Sequence, residues 1–204
     1  MILSSRVPLS PPRPVPIEAL VVGASAGGVE ALLTIFSGLE ADYRLPILVV
    51  LHVPDDRLSQ LAQVFQQRLA LRVKEVDDKE SLRGGTLYFA APGYHLLVEQ
   101  DHSLSLSREA PLHYSRPSID ILFDSAAEVY GPALGGILLT GANHDGAAGL
   151  STIQRRGGLT VVQDPEEALV PTMPQAALAL LQPDFILGLQ GIRALLVELD
   201  KAPC

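Results

Sequence analysis

From Ile17 onward, short runs of almost wholly apolar, β-branched residues alternate with stretches whose apolar positions recur every three or four residues. A strand buried on both sides has no polar face to show. The alternation therefore predicts an α/β fold, a doubly wound and mainly parallel sheet with helices on both faces. The first run, EALVVGA, leads through three glycines and one serine into Val29, Leu32, Leu33 and Phe36 at helical spacing, with Gly38 as the stop. The second, PILVVLH, leads into a helix from about Asp56 to Ala70 with a stripe of Leu58, Leu61, Ala62, Phe65 and Leu69. Between Val73 and Ser107 the texture changes. RVKEV, TLYFA, YHLLVEQ and SLSLS alternate or pair across short turns, which predicts an antiparallel hairpin insertion. SRPSIDILFDSAAEVYG then reads as a helix, with Pro117 near its first turn, Asp120 complementing its dipole, and Ile119, Leu122, Phe123 and Ala126 on one face. GGILLTG, LTVVQ and FILGL supply the remaining strands, and a helix from about Ile192 to Leu199 closes the chain.

Composition narrows the classes. With 204 residues, of which 48% are hydrophobic and 19% charged, the chain is expected to form one globular core. A net charge of -8 disfavours broad binding of nucleic acid or of anionic membranes, which need clustered Lys and Arg. The single cysteine, Cys204, excludes a disulfide framework or a cysteine-ligated metal site within one chain. No apolar run reaches the length of a membrane span, and prolines interrupt the N-terminus where a signal peptide needs an apolar stretch. A cytoplasmic protein is expected. Residues 1–16 read as a Pro-rich tail or linker and 17–204 as the folded domain.

Three polar residues fall at equivalent places in this order: Ser25 just past the first strand, His52 at the end of the second, and Asp145 in the loop after GGILLTG. In an open parallel sheet, ligands bind beyond the carboxyl ends of the strands, so residues distant in sequence can meet there. Gly23-Ala-Ser25-Ala-Gly27 satisfies G-x-S-x-G, whose small residues let a chain turn sharply and present a serine hydroxyl. A histidine to take the hydroxyl proton and a carboxylate to orient that histidine complete the chemistry. A phosphate cradle is the competing reading of the same glycines. It fits poorly, because the second strand ends in a histidine where a dinucleotide site needs an acid, and no lysine occurs before Lys74. Taken singly, Ser25 reads more readily as a helix N-cap than as a nucleophile, and the other two read also as a satisfied strand-end histidine, His52, and a turn or capping residue, Asp145. Among rival bases, His102 and His113 fall in loop-like sequence and His144 adjoins Asp145, which leaves His95 as the principal alternative to His52.

GASAGG, LHVP, SRPSIDILFDSAA and LTGANHDGAAG, in this order, resemble the CheB family, the methylesterases of bacterial chemotaxis receptors. The similarity runs from about Ile17 to Leu199, with smaller echoes in YFAAPGYHLLV, QDPEEALVPTMPQAAL and FILGL. It implies a serine hydrolase of glutamyl methyl esters on receptor signalling helices, with glutamine deamidation in some members. No cofactor or metal is implied. The family's nucleophile, histidine and aspartate match Ser25, His52 and Asp145, and its oxyanion donors match the backbone N–H groups of Ala26 and Ala142. Implied partners are methylated chemoreceptor helices and, in trans, a receiver domain or kinase-pathway component, because these residues leave room for only a tail before the domain. The chain departs from the family's common residues at Ala26, Leu51 and Ala142, where threonine, glutamine and methionine are usual, and at Ser115, where histidine is common. Two other classes remain: a catalytically inert receptor-binding protein and a nucleotide-binding α/β module.

Overall fold

The apolar runs become strands because their backbone polar groups pair laterally while their side chains are covered above and below. In the computed structural model, which describes residues 15–52, 61–112 and 114–201, the order is β1 (Ala19–Ala24), α1 (Gly28–Phe36), β2 (Ile47–Leu51) and α2 (Leu61–Gln66). There follow β3 (Arg72–Glu75), β4 (Thr86–Phe89), β5 (His95–Val98), β6 (Leu104–Ser107), α3 (Ile119–Tyr130) and β7 (Leu134–Leu138). The chain continues through α4 (Ala147–Arg155), β8 (Leu159–Gln163), α5 (Thr172–Leu180), β9 (Phe185–Leu187) and α6 (Leu189–Asp200). Most of the Pro-rich tail, His113, Cys204 and the first part of the helix expected from Asp56 lie outside the described residues.

Seven strands form one sheet in the order β3-β4-β2-β1-β7-β8-β9, every pair parallel. Alternate residues of β1 face opposite sides. Leu20, Val22 and Ala24 join a core with Leu32, Ile35 and Phe36 of α1 and Ile192 and Leu196 of α6. Ala19 and Val21 join a second core with Ile119, Leu122 and Phe123 of α3, Leu150 and Ile153 of α4, and Met173 and Ala177 of α5. Each fully buried Val, Leu, Ile or Phe contributes about 1.5–3 kcal/mol, so both layers are needed to hold the sheet.

One expectation fails in part. RVKE and TLYF do not pair across a turn. They are β3 and β4, parallel to each other and joined to β2 in the main sheet. Only β5 and β6 form the antiparallel hairpin, with His95 opposite Ser107 and Val98 opposite Leu104. Alternation in a four-residue strand reports which face is buried and carries no information on the direction of its neighbour. The hairpin lies against α3, where Ser125 Oγ accepts the Val98 N–H at 3.2 Å.

β1 is the strand at which the winding reverses, with β2 on one side and β7 on the other. Its last residues, Gly23 and Ala24, align with Leu138 of β7 and Leu51 of β2. The segments that follow these three strands therefore leave the sheet side by side.

Candidate active site

Ser25 follows directly on β1, and its backbone is pinned twice. Its N–H donates to Thr140 O at 3.0 Å, and its carbonyl accepts the Gly28 N–H at 2.8 Å. The N-cap of α1 is Gly27, in the left-handed region at φ 81, and no side chain caps this helix. The capping role open to Ser25 is thus taken by another residue. Among the described residues its hydroxyl makes no hydrogen bond and its side chain is half-buried. Thr140 stitches the surroundings together: its hydroxyl donates to Ala26 O at 2.9 Å and accepts the Val170 N–H at 2.9 Å.

His52 is the first residue beyond β2, tied to the end of β1 by its N–H on Ala24 O at 3.0 Å. Its Nε2 lies 3.0 Å from Asp145 Oδ2, with His52 13% and Asp145 0% exposed. The approach lies off the ring N–H direction, so the pair is a close polar contact and not a well-aligned hydrogen bond. Asn143 fixes the ring's other side. Its Oδ1 accepts the Asp145 N–H at 3.1 Å, which turns its amide nitrogen toward His52 Nδ1 at 3.3 Å. The amide can only donate there, so Nδ1 carries the lone pair and Nε2 the proton that faces Asp145.

Asp145 sits on the N-terminus of α3. Oδ2 accepts the Ile119 N–H at 2.7 Å, and Oδ1 accepts the Asp120 N–H at 3.0 Å and the Ser118 hydroxyl at 2.8 Å. Burial works to raise this carboxyl, yet His52 and the donors of Asp120, Ile119 and Ser118 together hold it below the ordinary aspartate value. It is an anion at neutral pH.

The arrangement is reciprocal. Asp120 lies in the first turn of α3, as expected for a residue that complements its dipole, and also turns its Oδ1 to the start of α4, accepting the Gly146 N–H at 2.9 Å and the Gly149 N–H at 2.7 Å. Gly146, at φ 96, is the N-cap of α4, and a Cβ there would stand 2.6 Å from both Ile119 and Leu138. Each helix start thus holds a carboxylate supplied by the other. Burial, opposed by the Gly149 N–H and reinforced by the nearby Asp145, pushes Asp120 up to about 6. An unfolded Asp120 loses its proton near 3.8, so its contribution to stability is full below that pH and is lost as pH rises through about 6. Two units correspond to about 3 kcal/mol. Asp120→Asn keeps an acceptor oxygen without the charge, so its stability relative to wild type should rise by up to about 3 kcal/mol between pH ~4 and ~7. Urea midpoints at the two pH values measure this, and a constant difference between the proteins overturns the account.

His95, the rival base, lies one layer behind. It is 1% exposed; Ser118 N–H donates to its Nδ1, and its Nε2 faces Ala110 O, both at 3.2 Å. Neither nitrogen is open to a substrate. His102 stacks edge-on against Tyr130 with centroids 5.0 Å apart, and the His144 side chain is exposed. Ala26 and Ala142 are exposed, and among the described residues neither backbone N–H is hydrogen-bonded. Gly141, by contrast, gives its N–H to Val170 O at 3.1 Å. Sequence reading missed Ser118, Thr140 and Asn143. The one local signal among them is Asn143, two residues before an aspartate, the spacing of an Asx turn.

A sequence model described as CheB methylesterase matches residues 20–196. A protein of Leptospira interrogans, provisionally named as a protein-glutamate methylesterase/protein-glutamine glutaminase, is 41% identical over 184 residues, covering 90% of this chain and 95% of that protein. The protein-glutamate methylesterase/protein-glutamine glutaminase 2 of Anaeromyxobacter dehalogenans is 38% identical over 199 residues, covering 98% of this chain and 58% of the relative. The crystal structure of the Thermotoga maritima CheB methylesterase catalytic domain matches with a TM-score of 0.86 at 30% identity, covering 91% of this chain and 100% of that one. On sequence and on fold alike, this chain belongs to the CheB methylesterase family.

Proposed function

We propose that the chain is a protein-glutamate methylesterase, a serine hydrolase that removes methyl esters from glutamate side chains of chemoreceptor signalling helices and deamidates receptor glutamines at the same site. The observation that supports this most is the approach of His52 Nε2 to the buried Asp145 at 3.0 Å, beside a turn whose serine hydroxyl makes no hydrogen bond among the described residues. Ser25 Oγ attacks the ester carbonyl and its proton passes to His52 Nδ1, the nitrogen left basic by the tautomer that Asp145 and Asn143 select. Asn143 gives up its long contact to Nδ1 as the hydroxyl takes its place. The N–H groups of Ala26 and Ala142 receive the oxyanion, where one donor is worth roughly 3 kcal/mol. The C–O bond to the methoxy group breaks as Nδ1 returns the proton, and methanol leaves. Water, deprotonated by Nδ1, then adds to the acyl carbon and expels Ser25 Oγ, which recovers the proton. With glutamine the leaving group is ammonia. Positioned proton transfers of this kind contribute about 10²- to 10⁴-fold each.

Leu169, 77% exposed and seated over Gly27, gives the rim of the turn an apolar surface for the ester-bearing helix. Among the described residues no helix is long and apolar enough to cross a membrane, in keeping with a protein that meets its receptor's signalling helices from the aqueous side. Residues 17–204 form the catalytic domain in this proposal.

The test is methanol release from receptor helices methylated at glutamate, alongside covalent labelling by a fluorophosphonate. Release with labelling at Ser25 is expected. Labelling without release points to a different ester. Neither response leaves an inert receptor-binding or nucleotide-binding module.

A further inference from the structure

The geometry points to His95 as a positioning residue for the hydrolysis proposed above, on which this inference rests: its imidazole acts through Ser118 on Asp145, and so on His52. His95 opens β5 and is 1% exposed, a site where a ring with two polar atoms is tolerated only if both are bonded. The bonds it makes are not interchangeable. The Ser118 N–H can only donate, so Nδ1 accepts, and the ring proton sits on Nε2, directed at Ala110 O.

Ser118 is the unusual link. As N-cap of α3 its hydroxyl would ordinarily serve the first turn of its own helix, yet it makes no capping bond. Asp145 has taken that place by accepting the Ile119 and Asp120 N–H groups, and the freed Ser118 hydroxyl donates to Asp145 Oδ1 at 2.8 Å. The direction of that hydroxyl follows from the backbone of Ser118, at φ -107 and ψ 138, and His95 grips this backbone by its N–H. Two hydrogen bonds of 3.2 and 2.8 Å and a close contact of 3.0 Å thus run in series from His95 through Ser118 and Asp145 to His52 Nε2. The last of these is already off-line, so a small rotation of the carboxylate moves it out of reach of the imidazole. Misplacement of about 1 Å in a reacting constellation can cost about 10²-fold in rate.

Two substitutions separate positioning from simple filling of the core. In His95→Asn the amide oxygen falls where Nδ1 was and still accepts from Ser118, while the bond to Ala110 is lost. In His95→Gln the longer side chain reaches toward Ala110 and leaves Ser118 without its acceptor. Both are polar and smaller than the parent ring. Each full chain is assayed, per folded molecule, for the rate of Ser25 labelling by a fluorophosphonate and for kcat and KM in methanol release. We expect His95→Gln to lose at least about tenfold in labelling rate and kcat with KM within about twofold, and His95→Asn to keep most of both rates. A His95→Gln protein with wild-type rates overturns the inference, as does a His95→Asn protein that falls as far as His95→Gln. If wild type is labelled but releases no methanol, the ester assignment fails while the labelling rates still decide the role of His95. A wild-type chain inert to the phosphonate overturns both.

Discussion

Replacing Ser25 with alanine should abolish methanol release while leaving the unfolding transition almost where it was. The two halves of this expectation have the same physical origin. The Ser25 hydroxyl is half-buried and makes no hydrogen bond among the described residues, so deleting it leaves no partner unsatisfied. The turn is held by backbone groups, through Ser25 N–H to Thr140 O and Gly28 N–H to Ser25 O, and these survive the change. A stability change within about 0.5 kcal/mol is therefore expected. The loss of a nucleophile from a triad costs on the order of 10⁶ in kcat. Full residual release by Ser25→Ala would refute the nucleophile assignment.

Asp145→Asn should fail on both counts, and the contrast is informative. The carboxylate accepts from three donors, Ser118 Oγ and the Asp120 N–H on Oδ1 and the Ile119 N–H on Oδ2, and Oδ2 also lies 3.0 Å from His52 Nε2. An amide has one acceptor oxygen, so whichever way it is turned, at least one of these donors meets an NH₂ group. Each buried donor left without a partner costs about 1–3 kcal/mol. Catalysis loses the charge that stabilises the imidazolium, for which a fall of about 10⁴ in kcat is the expected scale. The pH dependence follows from the depressed carboxyl. Its contribution to stability is present above the unfolded value near 3.8 and is lost as pH falls through the lower folded one, so wild type loses on acidification an increment that the variant never had. Urea unfolding near pH 7 and in acid, with kcat measured on the folded fraction, tests all three effects. A variant as stable as wild type near pH 7 would show that Asp145 does not hold the start of α3.

The approach of His52 to Asp145 was legible because it depends on one rule of parallel sheets, that strand ends at a winding reversal share a crevice: Ser25 and His52 directly follow β1 and β2, and Asp145 lies in the loop after β7. The amphipathic face of α3 was legible locally, and its residues Ile119, Leu122, Phe123 and Ala126 are all buried. What could not be read depends on contacts between segments. The target of Asp120 lies 29 residues on, at the Gly149 N–H, and nothing near Asp120 distinguishes that helix start from its own. Gly27 displaces Ser25 as the cap of α1 because the turn must also fit beneath Leu169 and beside Thr140, both of which arrive more than a hundred residues later. His95 could be ranked as a rival base only because its two partners, Ser118 and Ala110, were not visible as partners.

The exchange of carboxylates between α3 and α4 makes the two helix starts interdependent. Neither helix start is complete until the other has arrived, and the residue that completes α3 is the same Asp145 that confronts His52. β1 and β2 leave the ribosome well before Thr140, whose carbonyl pins the Ser25 turn, and Asp145, which confronts His52. On the proposed mechanism, hydrolytic capacity is complete only once the second half of the sheet is in place.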